Sequence, residues 1–417
     1  MKQKIVVILI LLLTLISCKK EFNFFQQENE NGLPNYGNVE VENVFTAEDS
    51  QLQDKQNVVN AIQQYYDKVW EKGDLSGGFL VAKGDKILFE SYRGFAKENN
   101  QVHINKDVPL HIASISKSLT AMAVLKLVEA RKINLHDKVT HYFPKFPYKE
   151  VEVIHLLNHR SGLPKYEYFI EKLGLKPKNK YFTNQEVLDL LIQHKPDLAR
   201  NTNTGFMYCN TNYALLALIV EKVTAHPFPL AMQKIVFKPL GMEHTYIFQQ
   251  KDSLRAAQSF YYQGNRLYPT DKLDGIYGDK NCYTTPRDLF KFSKAMYAEN
   301  FLRKSLKDSI FTHYSNERRG VNNYGIGFRM KVFDNGEKLT FHNGWWHGSN
   351  TAFVHLQKSK VTIIALGNKF SRRVYSALTL SSLFEDFPLE REKLNKLMNK
   401  EIDTTKENND AAAESTE

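Results

Sequence analysis

From Ala121 to Val128 the chain is apolar except for Lys126, and no polar face emerges at helical spacing. A helix apolar nearly all round is a buried one, so this pattern predicts a core helix opening near Ser114. Upstream, "NVVNAIQQYYDKVWEKG" repeats apolar residues at Val59, Ile62, Tyr66, Val69 and Trp70 before Gly73, which predicts an amphipathic helix with a glycine stop. "GGFLVAKGDKILFESYRG" reads as two strands around Gly84-Asp85, a β-hairpin. A helical middle follows. It contains "FTNQEVLDLLIQH", where Thr183 and Glu186 form a capping-box pattern, and "TNYALLALIVEKVT". "TTPRDLFKFSKAMY" opens with Thr285 as N-cap and Pro286 at the first helical position. Near the end "KLTFHNG", "NTAFVHLQ" and "VTIIALGN" predict three successive strands, and a closing helix covers about Val374 to Phe384.

Helix and hairpin first, helices in the middle, strands and a helix last: this order predicts an α+β fold. An antiparallel sheet built from both chain ends is flanked by helices, and a mainly helical lobe is inserted between. The sheet lobe is expected over about 56–110 and 275–390 and the helical lobe over about 111–274. A functional site then falls in the groove between lobes.

Composition narrows the partners. The chain has 417 residues, a formal charge of +10 and 42% hydrophobic content, enough for one large domain or two packed ones. Its lysines are scattered, with no zinc-finger spacing, aromatic-basic motif or long basic arm, so nucleic acid is not an expected partner. At the N-terminus Lys2 and Lys4 precede an apolar run from Ile5 to Ile16, the pattern of a signal peptide rather than a spanning helix. The run ends in "LISC", which resembles a bacterial lipobox; this predicts a signal over 1–18, lipidation at Cys18 and residence at the cell envelope on a membrane anchor. Residues 19–55 are polar and irregular, suited to a tether, and 391–417 read as a polar, disordered tail. Cys209 and Cys282 alone remain downstream, too few for a disulfide framework; buried free thiols are the expectation.

The chemistry gathers at the front of the core helix. Ser114 and Lys117 stand three apart, so they share a helix face, and a lysine beside a buried helix is costly unless it has a task. Ser114-Ile115-Ser116-Lys117, Tyr208-Cys209-Asn210 and His342-Asn343-Gly344 follow one another along the chain, with "VIHLLNHRSGLP" and "YCNTNYALLALIVEKVT" as flanks. Together they resemble the three motifs of the serine β-lactamase and penicillin-binding protein superfamily, especially its class C-like branch with esterases and D-aminopeptidases. The resemblance spans about 56–390. A lone S-x-x-K is weak; three motifs in order with matching flanks are specific.

The resemblance implies an acyl-enzyme on Ser114, with Lys117 and Tyr208 as base and proton relay, and Asn210 orienting Lys117 and a substrate carbonyl. Which of Lys117 and Tyr208 holds the proton stays open. Burial is expected to disfavour the charged form of Lys117. Oxyanion donors are expected at the backbone N–H groups of Ser114 and Trp345, and substrate contacts at His342, Asn343 and Gly344. No cofactor or metal is implied. The third motif departs from the Lys-Thr-Gly of the best-known β-lactamases: a histidine only partly charged near neutral pH weakens the hold on a substrate carboxylate. Trp345 and Trp346 form an aromatic wall or pack over the lobe junction, and His347 is expected at the surface or in a turn. His155 and His159 stand four apart but lack the glutamate of H-E-x-x-H, and Cys209 is expected as a packed thiol.

Three functions are weighed. The first is an envelope serine hydrolase acting on a peptide or amide, such as a D-amino-acid-containing cell-wall peptide, with β-lactam binding or slow hydrolysis as a side activity. The second is a carboxylesterase on the same machinery. The third is a catalytically silent envelope binding protein. Substrate identity and oligomeric state stay open.

Overall fold

The computed structural model describes residues 36–99, 102–317 and 320–402; Cys18 and the signal segment lie outside them. A seven-stranded antiparallel sheet has the order β2-β1-β10-β9-β8-β7-β6. Its strands are β1 (Gly77–Lys83), β2 (Lys86–Arg93), β6 (Asn322–Tyr324), β7 (Arg329–Val332), β8 (Lys338–Trp346), β9 (Ser349–Leu356) and β10 (Val361–Gly367). β1 from one chain end pairs with β10 from the other, Gly77 opposite Gly367 and Lys83 opposite Val361, so the expected two-ended sheet is what forms. A second sheet joins β3 (Leu110–His111), β5 (Cys282–Thr284) and β4 (Tyr246–Ile247), in that order.

Period-two alternation divides the core. Leu80, Phe353, Ile364 and Leu366 face the helical lobe. Phe79, Val81, Val354, Ile363 and Ala365 face the opposite side, against α1 (Lys55–Tyr66) and the 3-10 segment Arg372–Leu383. Both faces are covered, which is why β9 and β10 are buried at every position.

In the helical lobe, α2 (Ser116–Glu129) is buried at every residue from Ser116 to Val128, as its all-round apolar pattern requires. Around it lie α3 (Tyr166–Lys172), α4 (Asn184–His194) and α5 (Asn210–Thr224). The capping box of α4 forms: Thr183 Oγ1 accepts from Glu186 N at 3.1 Å and Thr183 N donates to Glu186 Oε2 at 2.8 Å. α6 (Pro286–Ala295) starts where Thr285 Oγ1 accepts from Asp288 N at 3.1 Å.

Two terminal expectations are corrected. The stretch from 36 is not all tether: Val39 and Val41 are buried in the core, and Val39 N donates to Pro239 O at 2.8 Å. Nor is 391–399 tail, because α7 (Pro388–Asn399) buries Leu394 and Glu390, the latter paired with Lys331. A few valines and one leucine at the right register outweigh a polar composition.

Candidate active site

β3 delivers the chain to the groove. Ala113, fully buried, has a φ of 48°, and the 3-10 turn Ala113–Ile115 then leads into α2. A left-handed alanine costs on the order of 1 kcal/mol, and the sharp turn presents Ser114 at the helix entrance. Gly344 of β8 meets this turn: a Cβ there would lie 2.4 Å from Ile112 O and 3.1 Å from Ala113 Cβ. The glycine of the third motif is thus demanded by close approach of strand and nucleophile turn.

Lys117 is fully buried. Its Nζ donates to Ser114 Oγ at 3.1 Å and to the backbone carbonyl of Asp279 at 2.8 Å. The same Nζ sits 4.9 Å from the Tyr208 ring centroid and 5.9 Å from that of Tyr213. No carboxylate forms an ion pair with it among the described residues. The Asp279 segment is itself fastened to α2. Thr120 Oγ1 donates to Gly278 O at 2.8 Å, and Ser116 Oγ accepts from Cys282 N at 3.1 Å.

Tyr208 reaches the same place from an extended segment leading into α5. His159, absent from the expected site, holds that segment. Its carbonyl accepts from Met207 N at 2.8 Å and its Nδ1 from Cys209 N at 3.2 Å. Its ring centroid is 4.4 Å from that of Tyr208. Asn212 Nδ2 also donates to Nδ1, at 3.2 Å, so the ring proton belongs on Nε2. Burial, then Lys117 and His342, hold His159 well below the usual histidine range, and it is neutral. Its neighbour in the "HLLNH" stretch, His155, does something else: its Nδ1 accepts from Glu152 N in a capping box.

The third motif departs from expectation. His342 is fully enclosed; its Nδ1 donates to Asn343 O at 2.7 Å and its Nε2 accepts from Tyr324 OH at 3.2 Å. Burial first, then Arg329 and Lys117, push its pKa well below 6.5, so it is neutral rather than partly charged. The permanent cation here is Arg329, at the start of β7, whose guanidinium lies 4.8 Å from the Tyr208 ring centroid. Asn210 also differs. Its Nδ2 donates to Glu167 Oε1 at 2.9 Å, whereas Lys117 is oriented by the Asp279 carbonyl. Burial pushes the Glu167 carboxyl up. Glu167 Oε2, Asn210 Oδ1, Asp279 Oδ1 and Asn343 Oδ1 are buried without a partner among the described residues.

β7 pairs with β8 only from Lys338 to Phe341, so His342–Trp346 has β9 on one side and an unpaired ladder edge on the other. Trp345 Nε1 donates to His347 O at 3.1 Å. Trp346 Nε1 donates to Asp274 Oδ1 at 2.8 Å, and Lys280 Nζ sits 4.6 Å from the Trp346 ring. His347 lies in the β8–β9 turn with a φ of 53°, its Nε2 2.8 Å from Asp274 Oδ1. Cys209 and Cys282 are free and buried; burial pushes the Cys209 thiol up to about 12, and its Sγ donates to Leu163 O at 3.3 Å.

Sequence reasoning thus found Ser114, Lys117 and Tyr208, which the fold brings together. It missed Asp279, His159, Glu167, Tyr324 and Arg329. Only His159 left a signal, inside the "HRSGLP" flank.

Known proteins resemble this chain over most of its length. The Bacillus subtilis protein named Penicillin-binding protein 4* is 29% identical over 344 residues, which cover 79% of this chain and 76% of that one. A penicillin-binding protein from Bacillus halodurans superposes with a TM-score of 0.66 at 25% identity, over 80% of this chain and 100% of that one. The D-amino acid amidase of Ochrobactrum anthropi shares the fold, with a TM-score of 0.64 at 20% identity over 82% of this chain and 98% of that one. The family model described as Beta-lactamase matches residues 62–380, and the chain belongs to that family.

Proposed function

We infer that this protein is a cell-envelope serine hydrolase of the class C-like branch, which forms an acyl-enzyme on Ser114 and cleaves a peptide or amide ending in a free carboxylate. The observation that carries the reading is the 3.1 Å contact between Ser114 Oγ and a lysine amine that is fully buried. That contact gives the serine proton a path into the Lys117–Tyr208 pair as Oγ attacks the carbonyl carbon. The negative oxygen so formed is received by the N–H groups of Ser114 and Trp345. On collapse, the scissile C–N bond breaks and the leaving amine takes a proton from the Lys117–Tyr208 pair. Water, losing a proton to the same pair, then frees the acid and restores Ser114.

Arg329 favours the peptide over the ester. A buried neutral His342 offers a substrate carboxylate little, but the guanidinium against Tyr208 stands on the leaving-group side with no carboxylate paired to it among the described residues. Its natural anion is the terminal carboxylate of the departing amino acid. We read the substrate as a cell-wall peptide with D-amino acids; the likeness to a protein named for binding penicillin is in line with this, and lipidation at Cys18 would place the enzyme beside the wall. The test is a comparison of D-alanyl-D-alanine peptides with short-chain acyl esters of matched intrinsic reactivity. Faster turnover of the peptides is expected; turnover of the esters alone would favour a carboxylesterase.

A further inference from the structure

The carbonyl that receives Lys117 Nζ at 2.8 Å belongs to the peptide joining Asp279 to Lys280. The chain around that peptide is not regular structure. Gly278 has a φ of 91° and Asn281 one of 69°, so left-handed residues stand on both sides of it. The neighbouring backbone is pinned to α2, at Gly278 O by Thr120 and at Cys282 N by Ser116. The plane of the peptide between those pins is set by other contacts.

The side chains on either side of the peptide meet at one hydroxyl. Tyr166 of α3 donates its OH to Asp279 Oδ2 at 2.6 Å and accepts there from Lys280 Nζ at 2.5 Å. Lys280 Nζ also lies 3.4 Å from Asp279 Oδ2, which closes the triangle. All three are enclosed: Tyr166 is fully buried, and the Asp279 and Lys280 side chains are 1% and 4% exposed. The Lys280 ammonium also packs on two rings, 5.0 Å from the Tyr166 centroid and 4.6 Å from that of Trp346. Tyr166 is itself fastened beside the second motif, its backbone N donating to Thr211 Oγ1 at 2.8 Å. Burial, then the Asp279 and Glu167 carboxylates, push its hydroxyl well above 10, so it keeps its proton as a donor.

Desolvation offsets most of the attraction within a buried ion pair, so this triad adds little net stability. Its effect is geometric. A lysine is a point charge on a flexible four-carbon stem and takes its aim from its acceptors. We propose that Tyr166, Asp279 and Lys280 are positioning residues for the acylation step: by locking the Asp279–Lys280 peptide, they hold the Lys117 amine 3.1 Å from Ser114 Oγ. This rests on the Ser114 acyl-enzyme reading.

A double-mutant cycle through Lys117 tests it. The quantity measured is the rate constant for labelling of the full chain by a fixed excess of a fluorophosphonate, followed by intact mass. In that reaction Ser114 Oγ bonds to phosphorus, fluoride leaves and the serine proton passes to the Lys117–Tyr208 pair. The rate constant reports only reactive molecules, so it is insensitive to the folded fraction of a preparation. Tyr166→Phe and Lys280→Met each keep most of the side-chain volume and remove one corner of the triangle. Each is expected to slow labelling about ten- to a hundredfold, the scale of a misplaced catalytic group. In a Lys117→Met background the same changes should matter by less than about twofold. Slowing by the same factor in both backgrounds, or by neither variant in the wild type, overturns the positioning role while leaving the acyl-enzyme standing. Labelling that persists in Ser114→Ala, or that runs at the wild-type rate in Lys117→Met, would instead overturn the acyl-enzyme reading and the triad's role with it.

Discussion

The guanidinium carbon of Arg329 lies 4.8 Å from the centroid of the Tyr208 ring. β7 places it there at Phe341's cross-strand position, immediately before the buried His342. A charge-assisted bond to a carboxylate is worth about 1.5–3 kcal/mol. Arg329→Gln should therefore lower kcat/KM for a peptide with a free terminal carboxylate by about ten- to a hundredfold. The same peptide as its C-terminal amide should lose much less. Equal losses on both would assign Arg329 to holding Tyr208 alone.

Lys117 sets activity against stability. Lys117→Met keeps the length of the chain while removing an amine from a fully buried place. We expect kcat to fall by about 10²–10⁴-fold, with a thermal midpoint unchanged or raised. Measuring both on one preparation decides the matter; wild-type kcat in this variant would deny the amine a chemical role.

His159 should act through Tyr208. His159→Phe retains a ring against Tyr208 but strips Cys209 N and the Asn212 amide of their acceptor. Leaving buried donors unpaired costs about 1–3 kcal/mol each. A lower denaturation midpoint together with a reduced kcat and little change in KM is expected. A drop in stability with kcat intact would make His159 purely structural.

Acid should destabilise the fold before it reaches the carboxylates. Burial first, then His347, hold His111 at about 4; burial, then Lys360, hold His355 at about 3; His159 and His342 are also well below 6.5. Below about pH 6.5 the unfolded chain binds protons at these positions and the folded chain does not. Stability is then full above pH 6.5 and falls as pH drops toward 4, by up to about 1.4 kcal/mol per pH unit for each histidine. Urea midpoints between pH 7.5 and 4.5 measure this. A flat profile would mean the rings charge in place.

Much of this was legible from local pattern. The all-round apolar run announced α2 as a buried helix, and the three-residue spacing announced that Ser114 and Lys117 meet. Strands with clear alternation and caps with their own side-chain signature also read true, Thr183 and Thr285 among them. What stayed hidden is held by tertiary contact. The Asp279 carbonyl is a backbone atom far from Lys117 in sequence, and no side-chain pattern marks it. β6 and β7 are too short to show a period, so Arg329 had no register to betray it. The charge of His342 depended on enclosure by Tyr324 and on nearby Arg329, neither visible in a His-Asn-Gly triplet.

The most direct measurement is intact-mass spectrometry of the protein after exposure to a fluorophosphonate and to a penicillin, followed by peptide mapping. One covalent adduct located on Ser114, and lost in Ser114→Ala, is the expected result. Adducts that persist in Ser114→Ala, or a wild-type protein that stays unmodified by every acyl donor tried, would contradict the proposal that this groove performs acyl transfer.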